Sequence, residues 1–140
     1  MRATDRCSRR IVAAGGALGW LLVESWHRKK PTALGLASGL VAGLVAITPA
    51  AGFVAPWAAI LIGFVAGAIV VGGSLLVERV GIADPVGAMA SHGLSGVWGT
   101  LALGFLAVPE LAERLATGSG GLLYGGGVSQ LVTQVLGLVA

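Results

Sequence analysis

The chain has 140 residues, of which 56% are hydrophobic and 11% charged, with a net charge of +3 and a mean hydropathy of +0.91. A water-soluble domain carries roughly a quarter charged residues, so this chain lacks the polar surface that water requires, and its outer face suits lipid instead. The basic residues sit in short clusters beside apolar runs without interleaved aromatics, a topology signal that argues against nucleic acid, and the single cysteine, Cys7, excludes an internal disulfide and a cysteine metal site.

Residues 1–10 form a basic segment with Arg2, Arg6, Arg9 and Arg10. A first apolar helix is predicted over 11–27. It ends in Arg28-Lys29-Lys30 with no small-residue cleavage site and soluble domain behind it, so it reads as a mature membrane helix rather than a signal peptide. A second helix is predicted over 31–48, with Pro31 at its first position and Thr48-Pro49 breaking or ending it. Thr48 and Pro49 are candidates for exposing backbone carbonyls at a pore mouth, with plain loop geometry as the alternative. A third helix covers 56–78, closed by Glu78-Arg79. The fourth covers 84–107 and opens on Asp84-Pro85. The linker 108–127 holds a short surface helix over 109–114, then glycine-rich turns at 117–121 and 125–127. A fifth apolar segment runs over 128–140, about 13 residues and too short to span a bilayer alone.

The pattern does not alternate apolar with polar, as membrane strands would, and no internal repeat is visible. The fold class is therefore all-α, a polytopic membrane helix bundle. Arg28–Lys30 and Arg79 lie two spans apart, which places both loops on one side, the cytoplasmic one. The arginines of 1–10 conflict with that scheme.

Glycines recur four apart at Gly15 and Gly19, at Gly35, Gly39 and Gly43, and at Gly63 and Gly67. Such spacing lines one helix face with backbone and favours close helix packing, with pore lining as a second reading. Trp20, Trp26, Trp57 and Trp98 read as interface anchors or packing residues. Glu24 is expected to pair with the Arg28–Lys30 cluster. Asp84 is placed to cap the fourth helix, with a vestibule role as the alternative.

His92 stands near the middle of the fourth segment. An ionisable group inside a membrane is costly and marks a cavity or a partner. A neutral imidazole offers one donor and one acceptor to a small solute. Gly93 and Gly96 leave space beside the ring. The alternative is a histidine satisfied within the bundle. No cysteine or carboxylate accompanies it, so no metal is expected. No nucleophile–base pair or phosphate-binding loop is present, so neither an enzyme nor a cofactor is expected.

The run Gly43-Leu44-Val45-Ala46-Ile47-Thr48-Pro49-Ala50-Ala51-Gly52-Phe53-Val54 resembles the ammonium transporter (Amt/Rh) family. So do Asp84, Pro85, His92, Gly93 and Gly96, and the ending Gly121-Leu122-Leu123-Tyr124-Gly125-Gly126-Gly127 with Gln130-Leu131. The resemblance covers about 13–140 and leaves 1–10 unmatched. It implies the later half of an eleven-helix inverted repeat: helices seven to ten and the start of eleven. It also implies ammonium or ammonia as the transported species, a bacterial inner-membrane setting, and a homotrimer. His92 would be the second histidine of a pore pair whose first member belongs to the earlier half. Ser91 stands where the family more often has valine. A half repeat cannot enclose a pore formed between two halves. The expectation is thus a partial transporter that needs a complementary amino-terminal half or, alternatively, a non-conducting fragment that only packs against other membrane subunits.

Overall fold

The computed structural model describes residues 3–84, 87–114 and 120–139. Arg2, Pro85, Ala140 and the 117–119 part of the expected glycine turn lie outside the described residues. Helix α1 spans Ala3–Arg28, α2 Ala33–Ile47 and α3 Pro56–Val80. A π-helical turn, Met89–Leu94, runs directly into α4, Ser95–Leu106. The short α5, Pro109–Arg114, a 3₁₀ turn at Leu122–Tyr124, and α6, Ser129–Val139, complete the chain. No strand occurs among the described residues.

The sequence accounts for these boundaries through local chemistry. Pro56 occupies the opening turn of α3, where a missing N–H costs nothing. Gly81 ends that helix in the left-handed region at φ 77°, its N–H bonded back to Glu78 O and Val77 O, a conformation that penalises any Cβ. Pro31, expected at the first helical position of α2, instead precedes the cap. Thr32 is the N-cap, its hydroxyl accepting from Gly35 N at 2.9 Å, so the side chain that can satisfy an end N–H sets the start. Helix α1 begins eight residues before the expected position 11, because nothing between Ala3 and Ala14 is glycine or proline to stop it. Among the described residues, α3 is the one helix long and apolar enough to cross a bilayer by itself. Helix α2 has 15 residues, which gives about 22 Å at the usual rise.

The packing inverts the pattern of a soluble protein. The buried apolar positions are mostly small: Ala42, Ala46, Ala58, Ala59, Ala66, Ala90 and Ala102 have at most 1% exposure. Large side chains such as Leu18, Leu22, Leu34, Leu40, Leu61 and Phe64 point outward. In lipid, tails are as apolar as leucine, so helices gain by close backbone approach rather than by burying bulk.

Gly16 is the junction of the first three helices. A Cβ placed on it would run into Gly39 O of α2 and lie 2.9 Å from Gly43 Cα. A Cβ on Gly67 of α3 would run into Gly16 O. Gly43 and Gly63 meet Val12 O in the same way, and Gly19 meets Phe64 O. Helices α1 and α3 therefore run parallel, in register by contact, with α2 antiparallel to both. One turn of α4 joins them where Gly99 approaches Ala46 O. Trp98 Nε1 donates to Ile62 O at 3.1 Å, which makes Trp98 a packing residue between α4 and α3.

This arrangement brings the carboxyl end of α1, the start of α2 and the end of α3 together. Arg28 and Glu78 form an ion pair there at 3.8 Å, so the basic loops near Arg28 and Arg79 share one end of the bundle. Glu24 does not pair with the basic cluster. It is 5% exposed; its Oε2 accepts from Thr32 N at 3.1 Å and its Oε1 from Thr32 Oγ1 at 2.8 Å. The carboxylate faces the N-cap of α2 because that is where unpaired donors cluster at a helix start.

Gly16→Ala is expected to lower stability in detergent by about 1–3 kcal/mol, the usual cost of overpacking. A Cβ on Gly72 meets nothing within 4 Å, so Gly72→Ala should not destabilise and should raise stability by up to about 1 kcal/mol through helix propensity. Equal unfolding midpoints for the two variants would remove the junction from its central place.

Candidate functional site

The fourth segment does not begin at residue 84. Asp84 turns back as a cap: Oδ1 accepts from Ala88 N at 2.8 Å, and Oδ2 from Met89 N at 3.0 Å and Ala90 N at 3.4 Å. Three end N–H groups are thereby satisfied by one carboxylate at the positive end of the helix. With the helix opening there, His92 lies in its first turn rather than near its middle. Leu94 and Ala90, two residues to either side, pack on Gly73 of α3, which puts the ring in the part of the bundle nearer the basic end.

The turn that carries His92 is wider than an α-turn, with i→i+5 bonding that seats one extra residue, a form seen mainly as single turns and often at functional sites. Ser91 is 6% exposed. Its Oγ donates to Gly87 O at 2.6 Å and lies 3.1 Å from His92 Nδ1. The His92 side chain itself is exposed. Around it, a Cβ on Gly93 or Gly96 would meet nothing within 4 Å. The turn is thus held on one side by α3 and by the Asp84 cap, and uncovered on the other. Ser95, fully buried one turn on, has a hydroxyl without a partner among the described residues.

The remaining candidates are not brought to this place. Thr48 follows α2 at the opposite end of the bundle, with its Oγ1 bonded back to Leu44 O at 2.9 Å. Pro49 follows it in the connection to α3. Asp84 lines a cavity of about 270 Å³ at the basic end, together with Trp20, Glu24, Thr32, Ser38 and Glu78. His92, Gly93 and Gly96 do not line that cavity. Glu24 and Ser91 escaped the candidate set. Glu24 carried one clue, a lone carboxylate in an apolar run. Among the described residues, no group of histidine, cysteine and carboxylate side chains is placed to hold a metal ion.

The model of the Ammonium Transporter Family matches residues 8–140. The chain belongs to the ammonium transporter family. The ammonium transporter of Bacillus subtilis is 44% identical over 129 residues, covering 91% of this chain and 31% of that protein. An ammonium transporter of Archaeoglobus fulgidus is 42% identical over 123 residues, covering 86% and 30%. The crystal structure of Saccharomyces cerevisiae Mep2 superposes with a TM-score of 0.87 at 33% identity, covering 97% of this chain and 31% of that one. The chain thus spans about a third of the length of these relatives. The all-α architecture is that of integral membrane transporters, and the family is not one of enzymes.

Asp84→Ala is expected to cost about 0.5–2 kcal/mol, the usual range for a lost cap. The loss should show as faster amide exchange at Ala88, Met89 and Ala90, with Asp84→Asn falling between. Unchanged exchange at these three amides would show that the cap is dispensable.

Proposed function

We propose that this chain forms one wall of an ammonium conduction path, with His92, flanked by Gly93 and Gly96, as its contact with the transported species. The observation that carries the reading is the uncovered face of the π-turn. It presents an imidazole beside two positions with no side chain and open space, inside a family of ammonium transporters. Desolvating a cation in a dry passage is expensive, whereas neutral ammonia crosses at far lower cost, so an imidazole that exchanges hydrogen bonds with the guest serves such a path. The remaining wall comes from a complementary amino-terminal half in the inner membrane of a bacterium, and the assembled unit is a homotrimer. Asp84 serves as cap and vestibule residue together, and Thr48-Pro49 shapes the opposite end.

One observation favours a second reading, a non-conducting fragment. His92 lies on a face that no other described residue covers, and a path walled on one side holds no guest.

A chimera separates the two. Residues 8–140 replace the matching segment of the Bacillus subtilis transporter, and uptake of methylammonium is measured in cells. The chimera should take it up, and His92→Ala should reduce uptake at least about tenfold, the change expected from roughly 1.4 kcal/mol. Uptake and selectivity unchanged by His92→Ala would end the pore reading. Uptake by the isolated chain in vesicles would end the fragment reading.

A further inference from the structure

Ser91 and His92 fix the positions of each other's protons. Ser91 Oγ lies 2.6 Å from Gly87 O. A carbonyl oxygen only accepts, and a hydroxyl has one proton, so at this O–H···O distance that proton lies toward Gly87 O. Ser91 Oγ then has only lone pairs left for His92. The Oγ···Nδ1 separation of 3.1 Å is within the N–H···O range, and the ring nitrogen must be the donor. A neutral imidazole carries one N–H, so with Nδ1 protonated, Nε2 holds a bare lone pair. Nε2 makes no hydrogen bond among the described residues.

We infer that Ser91 is a positioning residue that holds His92 in its Nδ1–H tautomer and so presents Nε2 as the acceptor on the uncovered face. Ser91 is suited to this because it is itself buried and its hydroxyl is oriented by a backbone carbonyl one helical turn back. No rotation of the hydroxyl satisfies both Gly87 O and an unprotonated Nδ1.

The consequence for transport rests on the proposed function above; the tautomer lock does not. A bare Nε2 accepts an N–H from ammonium and from ammonia alike. The opposite tautomer would offer an N–H instead, which only a lone pair can accept, and ammonium has none. Ser91 therefore sets whether the ring greets the guest as acceptor or as donor, and without the hydroxyl both tautomers are open.

The test uses the full chain in lipid nanodiscs, with His27→Gln leaving His92 as the remaining histidine and histidine labelled with ¹⁵N. At a pH where the imidazole is neutral, Nδ1 should give the protonated, pyrrole-type resonance and Nε2 the bare, pyridine-type one. Ser91→Ala should move the pyrrole-type signal to Nε2 or average the two nitrogens, and Ser91→Thr, which keeps the hydroxyl, should restore the parent pattern. Circular dichroism on each variant establishes that the helices persist. A parent spectrum with the proton on Nε2 overturns the inference without recourse to any variant, as does a Ser91→Ala spectrum identical to the parent. If the tautomer pattern holds while the chimera ignores His92→Ala, the lock stands and the conduction reading falls.

Discussion

The bundle depends on three backbones meeting at Gly16. Between helices in a bilayer there is no hydrophobic drive to exchange water for protein, so the gain comes from dispersion and depends steeply on distance. A methyl group on Gly16, Gly43, Gly63 or Gly67 would occupy space already held by a neighbour's carbonyl or Cα. These positions work together because each glycine meets the main chain of another helix and not a side chain that can turn aside. The register they impose makes α1 and α3 parallel and in direct contact with α2 antiparallel to both, and the contacts at the basic end follow from that register.

At that end the polar contacts differ in weight. The Arg28–Glu78 pair is long and its side chains are 54% and 65% exposed, so water screens it and its contribution is small. Glu24 is different. It is buried, it receives two donors from Thr32, and Thr32 in turn caps Gly35 N. Thr32 itself is exposed and lines the cavity at this end, so loss of the carboxylate would leave its donors to water. The contribution is therefore that of charge-assisted hydrogen bonds to a buried carboxylate, not the cost of a stranded donor. Gly35 is glycine for the same reason: a Cβ there would strike Trp20 Nε1 and Glu24 Oε2. The opposite end relies on main-chain bonds instead, with Val108 N donating to Phe53 O at 2.8 Å and Gly121 N to Ala107 O at 2.8 Å.

Much of this was legible in the sequence, and the limits have physical causes. The helical class, the helix start at Pro56 and the glycine stripes follow from local chemistry and periodicity. Gly16 did not stand out, because the four-residue spacing picks Gly15 and Gly19 while the central approach is a property of three helices at once. Pro31 misled because a hydroxyl one residue later outcompetes it as the start signal. Asp84 was legible as a cap, but not how far it reaches: bonding Ala88, Met89 and Ala90 moves the helix start and carries His92 from mid-helix into the first turn. The π-turn has no composition of its own, so no pattern announces it. Ser91 read only as a departure from valine, because a hydroxyl's role depends on the carbonyl it finds, here Gly87 O.

The glycines divide into two groups that the sequence does not distinguish. Gly16, Gly67 and Gly99 are filled against another backbone, whereas Gly93 and Gly96 face open space. The first group needs glycine for packing within the chain. The second has no such need, since a Cβ at either position meets nothing, and its cost in helix propensity of roughly 1 kcal/mol each relative to alanine is not offset by any packing within this chain. Glycine there adds no side chain to the uncovered face, while the Asp84 cap and the contacts of Gly73 with Leu94 and Ala90 hold the turn and Ser91 Oγ lies beside the ring. A histidine fixed on one side and kept clear on the other is suited to meeting a guest, and it needs a second wall to confine one.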